Sequence, residues 1–293
     1  MTEEKKGELY IFYGAFTWSL FPVITVLSYR SLPSFISLAL STFIACVVFF
    51  LIVLYKKKLR ELNNPLLWKY ILGIVFFVGI LYYVFTFYGL TKTTPGNASI
   101  IALFEVCTSY IFFHVIRKEP FSFKSKVGSV LMIIGAMLVL APNFSKVNSG
   151  DLFILLATFS APFGSLLQQK AKKISSSETI MFLRSLIAAP IILLIAYMFK
   201  QSLEAQNIRD SIIFLLINGI FLLGLSKMFW LEGIARISVT KSNALSSVAP
   251  LMTLFFAWLI LHQSPTWWQI SSLVPFFFGV LLLTDNLKLK YGN

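Results

Sequence analysis

Three charged side chains lie inside long apolar stretches of the sequence, where a charge is costly. Glu105 lies about eight residues into one stretch, Arg184 about six residues into another, and Lys227 about four residues from the end of a third. Each charge costs several kcal/mol in an apolar medium unless it is paired or hydrated. If they face one cavity, the acid can bind an amine and a base can bind a carboxylate, as in an amino acid. The same charges can also form a plain salt bridge that locks one conformation, and the sequence leaves both interpretations open.

Depth distinguishes the three charges. Glu105 lies roughly 12 Å from the end of its stretch at 1.5 Å per residue, which is too deep for its short side chain to reach water. The longer side chains of Arg184 and Lys227 lie close enough to a stretch end to extend to the interface. The predicted substrate cavity contains these three residues and three others from different stretches: Trp18, Tyr83, Glu105, Arg184, Lys227 and Asn243.

Residues that would carry catalysis or hold a metal are not clustered in the sequence. There are only two histidines, His114 and His262, and two cysteines, Cys46 and Cys107, without the spacing of a zinc site. The phosphate-binding pattern G-x-x-x-x-G-K-[ST] is absent, so ATP is not expected to drive the protein directly. We therefore expect no enzyme activity, no metal and no cofactor.

The charged residues are positioned by apolar stretches that predict membrane-spanning helices. The chain is 57% hydrophobic and 13% charged, with a mean hydropathy of +0.81, which is far too apolar for a soluble domain. A helix needs roughly 20 residues to cross the hydrocarbon. Ten stretches approach that length, and the fifth and tenth are short: 8–29, 34–55, 70–90, 97–116, 127–142, 151–170, 178–199, 211–231, 243–262 and 268–285. The predicted fold class is all-α and integral to the membrane, with the lipid bilayer as a partner.

The basic residues predict how these helices are oriented. With the N-terminus inside, 18 of the 25 Lys and Arg residues fall on the cytoplasmic side and five on the outer side. Such a bias is typical of the positive-inside rule, so it explains the net charge of +13 without nucleic acid as a partner. We expect a plasma (inner) membrane location with both termini cytoplasmic.

The second half of the chain repeats the first. Gly7 is matched by Gly150 at an offset of 143, and Gly89 is matched by Gly233 at an offset of 144. Because the loop charges reverse between the halves, we predict two five-helix repeats, 1–145 and 146–293, inserted in opposite directions, as in many secondary transporters. Rocking of one half against the other would expose a cavity built mainly from helices one, three, four, six, eight and nine.

A proline and an ion pair carry two local predictions. Pro162 lacks an N–H and is the best candidate for a broken or flexible helix, and its partner in the first repeat is Ser19. Glu232 and Arg236 are four residues apart, and we expect them to pair at the inner surface.

Short motifs recur at matching places in the two halves. Leu103-Phe104-Glu105-Val106 and Lys118-Glu119-Pro120 in the first half are followed by Val248-Ala249-Pro250 in the second. They are similar to the l-x-E-P and g-E-P motifs of the EamA type of the drug/metabolite transporter superfamily, which the chain resembles over nearly its whole length. Arg184 stands where that family often has an arginine, early in the second helix of a repeat. The chain departs from the pattern because Ser41 takes that place in the first repeat, and because the glutamate–proline pair is split.

The resemblance implies a ten-helix bundle of inverted repeats that moves small metabolites or drugs, often outward, by alternating access. It does not specify a substrate. We therefore predict a secondary transporter of a small-molecule substrate, an amino-acid-like or amphipathic metabolite, with efflux as the expected direction. A lipid flippase and a channel-like passive permease remain as alternatives, and the sequence leaves open whether the protein is a homodimer.

Overall fold

The structure, a computed structural model, describes residues 1–117, 123–140, 148–202 and 205–288, and within these ranges every regular element is a helix. The motif Lys118-Glu119-Pro120 lies outside the described residues. The all-α fold class predicted from the sequence is confirmed. Numbered in chain order, the helices are α1 (Glu3–Ser28), α2 (Ser34–Tyr55), α3 (Pro65–Leu90), α4 (Pro95–Ile116), α5 (Phe123–Leu140), α6 (Ser149–Lys172), α7 (Ser177–Met198), α8 (Gln206–Ile234), α9 (Val239–Leu261) and α10 (Trp267–Lys288).

Apolar length identifies the elements that can cross a bilayer. In the part of the chain that the structure describes, eight helices are long and apolar enough to do so. The remaining two, α5 and α10, contain shorter apolar segments, Lys126–Val139 and Trp267–Leu283, in agreement with the short fifth and tenth stretches of the sequence. Large apolar side chains such as Phe43, Leu194 and Phe277 are exposed. A surface of this kind is typical of a multi-pass membrane protein, because lipid and not water surrounds it.

Local turn and cap geometry recurs at the repeat offset. Thr94 caps α4 by accepting a hydrogen bond from Asn97 N, and Ser238 caps α9 by accepting one from Lys241 N. The two caps are 144 residues apart. Lys57 after α2 and Lys200 after α7 adopt left-handed backbone angles, with φ of 54° and 55°, and they are 143 residues apart. The two halves therefore begin and end equivalent helices in the same way.

Four helices change their hydrogen-bonding pattern at repeat-related places. α3 contains a π-helical segment, Val75–Tyr82, and α8 contains another, Ile217–Leu225. α4 is interrupted at Leu103, and α9 passes through a 3-10 turn at Ser246–Val248. A π segment accommodates an extra residue and is frequent at functional sites. One extra residue turns the following side chains by about 100° around the helix axis.

Of the two alternatives predicted at Pro162, a broken or a flexible helix, the broken helix is wrong. α6 is continuous through Pro162, whereas α1 is interrupted at Leu20. Because proline has no N–H, the carbonyl of Thr158 loses its donor within the helix. The hydroxyl of Thr108 donates to that carbonyl at 2.8 Å. A side chain of a neighbouring helix thus replaces the missing bond, as is common for prolines within membranes.

The helices pack in five pairs: α1 with α8, α3 with α6, α2 with α7, α4 with α9 and α5 with α10. The repeat relates α1 to α6, α2 to α7, α3 to α8, α4 to α9 and α5 to α10. When each helix is replaced by its counterpart, the α1–α8 pair becomes the α6–α3 pair, and the other three pairs are unchanged. Backbones approach closely in both exchanged pairs. A Cβ atom on Gly150 would lie 2.7 Å from the carbonyl oxygen of Gly89, and one on Gly7 would lie 3.5 Å from that of Gly233.

Ion pairs connect the start of α1 to the α8–α9 connection. The ion pair predicted between Glu232 and Arg236 is confirmed, since Arg236 Nη1 lies 2.6 Å from Glu232 Oε2. Arg236 Nε also lies 3.0 Å from Glu3 Oε2, and Lys241 Nζ lies 2.5 Å from Glu4 Oε1. Pairs that are exposed to water contribute about 0–1 kcal/mol each, so this set holds the two halves together only weakly.

A carboxylate connects the α2–α3 loop to the start of α7. Glu61 Oε2 accepts hydrogen bonds from Ser176 N at 2.8 Å and from the hydroxyls of Ser175 and Ser176 at 2.7 and 2.9 Å. Burial raises the pKa of Glu61, but these hydrogen bonds outweigh burial and hold the pKa below its ordinary value. The ionised carboxylate therefore stabilises this end of α7.

Candidate functional site

A central cavity lies between α1, α3, α4, α6, α8 and α9. It contains about 1260 Å³ of space free of protein atoms, part of which is continuous with solvent. The six helices are those predicted from the sequence to build a cavity. No residue of α2, α5, α7 or α10 within the described ranges lines it.

The walls of this cavity follow the internal repeat. With an offset of 143 between α1 and α6 and of 144 between α3 and α8 and between α4 and α9, twelve pairs of lining residues correspond, including Ile11 with Ile154 and Ser99 with Asn243. The shared positions place the cavity between the two halves. The charges differ, however, since Glu105 is matched by Ala249, and Lys227 is matched by Tyr83.

Glu105 and Lys227 bring one acid and one base into the cavity, and both are only partly buried there. Among the described residues, neither side chain forms an ion pair within 4.0 Å or a hydrogen bond. Lys227 Nζ lies 3.1 Å from the centre of the Trp18 indole ring, an arrangement in which the aromatic face stabilises the ammonium group. The expectation that Lys227 extends to the interface is therefore wrong, because its ammonium group lies over Trp18 at the cavity.

Aromatic rings build the wall around the ammonium group. The Trp18 ring stacks on Phe21 with a centroid distance of 4.0 Å and an interplanar angle of 8°. The ring of Tyr83 meets Trp18 edge-on at 6.4 Å. These contacts hold the indole in one orientation, so it offers a rigid face to Lys227 and to any ligand.

Irregular helix segments lie directly beside four of the residues that line the cavity. Tyr83 is the first residue after the π segment of α3, and Lys227 is the second residue after the π segment of α8. Glu105 follows the interruption of α4 at Leu103 by two residues. Asn243 precedes the 3-10 turn of α9, lines the cavity and donates from Nδ2 to Ser109 Oγ at 2.8 Å. Backbone irregularity therefore occurs where membrane proteins tolerate it, next to a cavity.

Arg184 does not line the central cavity. Its side chain is 3% exposed and lies on α7 beside a smaller pocket that Tyr83 also lines. The centre of the guanidinium group lies 5.8 Å from the Tyr83 ring, and Nη2 donates to the carbonyl of Leu223 at 3.3 Å. The structure thus brings Trp18, Tyr83, Glu105, Lys227 and Asn243 together and separates Arg184 from them by the Tyr83 ring. Their roles in binding a substrate stay predictions.

Sequence reasoning missed several residues of the cavity wall, among them Tyr82, Gln168 and Trp230. A signal existed for Gln168, which is 3% exposed, because a buried amide in an apolar helix requires a polar environment. Trp230 carried no such signal, because its repeat partner Thr86 was not predicted to line the cavity either. No group of three or more His, Cys, Asp or Glu side chains able to hold a metal is found within the described ranges.

Comparison with known proteins places this architecture in a family. The model of the EamA-like transporter family matches the chain twice, at residues 5–141 and 148–285. The uncharacterized transporter YoaV of Bacillus subtilis is 21% identical over 255 residues, covering 86% of each chain. An uncharacterized transporter of Methanothermobacter thermautotrophicus is 26% identical over 209 residues, covering 68% of this chain and 60% of its own length. A solved crystal structure shares the fold with a TM-score of 0.72 at 17% identity, covering 99% of this chain and 100% of that one. Two family matches that together span nearly the whole chain, on a bundle of apolar helices, show that this protein belongs to the EamA-like transporter family, within the drug/metabolite transporter superfamily.

Proposed function

We propose that this protein carries a small zwitterionic, amino-acid-like metabolite across the membrane by alternating access. The observation that carries the proposal is an acid and a base, Glu105 and Lys227, which face one cavity from opposite halves and form no ion pair or hydrogen bond with the described residues. Glu105 binds the amine of the substrate, and Lys227 binds its carboxylate.

The energetics of buried charge support a ligand over a structural salt bridge. Two charges removed from water recover their desolvation cost only in close contact with good geometry. Glu105 and Lys227 do not make such a contact with each other, which disfavours a pair that locks the structure. A zwitterion between them satisfies both charges at once and adds no net charge to the cavity.

The walls of the central cavity indicate the chemistry of the substrate beyond its amine and carboxylate. Most of the lining is apolar or aromatic, with Trp18, Tyr82 and Trp230 as the largest rings. Binding sites for small molecules commonly combine such walls with a few fixed polar groups. An amino acid with an apolar or aromatic side chain fits this description better than a sugar, which needs many hydrogen-bonding partners.

The proposed mechanism uses ten membrane spans in two inverted five-helix repeats. The exchange symmetry of the helix pairs, the recurring π segments and the two family matches support this arrangement. One half rocks against the other, so that the cavity opens to each side in turn. Both termini are cytoplasmic in the plasma membrane, which agrees with the bias of basic residues, and export is the proposed direction because related transporters often work outward.

The test is counterflow of labelled amino acids in proteoliposomes, with Glu105→Gln and Lys227→Gln compared with Asp210→Asn, a change at an exposed acid. Wild type and Asp210→Asn should show saturable counterflow. Both cavity variants should express normally and lose it, because a charge-assisted hydrogen bond contributes about 1.5–3 kcal/mol, or roughly 10–150-fold in affinity.

Three results would overturn the proposal. Unchanged counterflow in Glu105→Gln would remove this acid from the mechanism. Flux that does not saturate and shows no counterflow would indicate a channel-like permease, while movement of labelled phospholipid without amino acid flux would indicate a flippase.

A further inference from the structure

The pocket beside Arg184 contains a positive charge without a counter-charge. Arg184 is 3% exposed, and in the described part of the chain no carboxylate lies within 4.0 Å of it. Among the described residues, Arg184 donates one hydrogen bond, from Nη2 to Leu223 O at 3.3 Å, while Nη1 is buried without a partner. A guanidinium group stays protonated in proteins, so this charge cannot be removed by loss of a proton.

Unpartnered hydroxyl groups surround the same pocket. Tyr83 and Ser185 both line it, and the hydroxyl group of each is buried without a hydrogen-bond partner. The remaining wall is formed largely by small or apolar residues, including Ala45, Gly79 and Ala188. Buried polar groups are normally hydrogen-bonded, so a buried guanidinium N–H and two buried hydroxyl groups around one small pocket indicate that the pocket can hold an acceptor.

The charge balance indicates the sign of that acceptor. Glu105 offsets Lys227 in the central cavity, which leaves Arg184 as an uncompensated charge between α2, α3, α7 and α8. An uncharged water molecule would satisfy Nη1 but would not offset the charge. An anion does both, because hydrogen bonds between charged groups are shorter and stronger than neutral ones.

We propose that Arg184, with the hydroxyl groups of Tyr83 and Ser185, binds a monovalent inorganic anion, and that chloride is the physiological ligand. The pocket is far smaller than the central cavity and excludes a metabolite, so its ligand must be a single small ion. Because Tyr83 lines this pocket and the central cavity, the anion lies directly behind one wall of the proposed substrate site. Anion binding does not depend on the identity of the transported substrate, so it can be tested separately from transport.

The experiment is thermal unfolding of the purified full-length protein in detergent, with sodium gluconate replaced by sodium chloride or bromide at constant ionic strength. Halide should raise the melting temperature saturably, by roughly 2–4 °C near saturation, because a ligand that binds only the folded state stabilises it. Arg184→Gln should abolish the rise, and Arg209→Gln, which removes an exposed arginine, should retain it.

A second variant keeps the test decisive if Arg184→Gln does not fold. Ser185→Ala removes one hydroxyl donor and should weaken the halide midpoint about tenfold, as expected for loss of a hydrogen bond to a charged group. In crystals grown with bromide, anomalous density should lie beside Nη1 of Arg184. Equal melting temperatures in gluconate and halide, or a halide response that persists in Arg184→Gln, would overturn the proposal.

Discussion

Substitution of Gly150 by alanine should separate α3 from α6 at their closest crossing. The added Cβ atom would lie 2.7 Å from the carbonyl oxygen of Gly89 and 2.8 Å from the backbone carbonyl carbon of Lys92. Ordinary contact begins near 3.4 Å, so α6 must move by about 0.7 Å, and backbone atoms cannot rotate out of the way. The movement also stretches the hydrogen bond from Asn148 Nδ2 to Lys92 O, which is 2.8 Å long.

The expected cost combines these two effects. Overpacking costs about 1–3 kcal/mol, and a stretched hydrogen bond adds about 1 kcal/mol. For a chain of this size the loss corresponds to a fall of roughly 3–6 °C in melting temperature. The assay is thermal unfolding of detergent-purified protein, followed by tryptophan fluorescence.

Gly73→Ala is the matched control. Its added Cβ atom would lie 2.5 Å from Leu167 Cδ1, the end of a flexible side chain that can change its rotamer. Gly73 lies within α3, where alanine gains about 1 kcal/mol of helix propensity, so this variant should melt within about 1 °C of wild type or above it. Equal destabilisation of the two variants would refute the reasoning that contact with backbone, and not the added volume alone, determines the cost.

Two further predictions concern hydrogen bonds outside the charged cavity residues. The pKa of Glu61 is lowered in the folded state, so its contribution to stability is present above its ordinary pKa and is lost as the pH falls through the folded pKa. Glu61→Gln lacks this titrating group. In thermal melts between about pH 5 and 3, the variant should therefore lose less stability than wild type does. Thr108→Val leaves the Thr158 carbonyl without a donor and should lower the free energy of unfolding by about 1–2 kcal/mol. Thr17→Val, which removes a hydroxyl bonded within its own helix, should have a smaller effect, and an equal effect would contradict this role for Thr108.

Much of the fold could be predicted from the sequence because the apolar stretches and the internal repeat each extend over many residues. Apolar stretches near membrane-spanning length identified the helices, and the repeat offset indicated two similar halves with a cavity between them. The position of Arg184 could not be predicted, since an almost uniformly apolar helix has no periodicity to show which face a residue occupies. The π segments were also missed, because Val75–Tyr82 is as apolar as its surroundings and contains no residue type specific to that geometry.

Pro162 shows how a local rule can fail when its compensation comes from a distant residue. The rule that proline breaks a helix concerns the missing N–H and the displaced carbonyl. Thr108 supplies the replacement from a helix that is some 50 residues earlier in the chain, and a single sequence does not reveal that contact. Membrane helices tolerate proline for this reason.

The two π segments follow the internal repeat, whereas the two cavity charges do not. An extra helical residue at nearly the same place in α3 and α8 is most simply explained by one insertion that preceded the duplication. Glu105 and Lys227 occur once each, so parsimony places them after it. A homodimer of identical five-helix chains would carry every charge twice, once on each wall. A single chain with two non-identical halves is free of that constraint, so an acid on one wall can coexist with a base on the other.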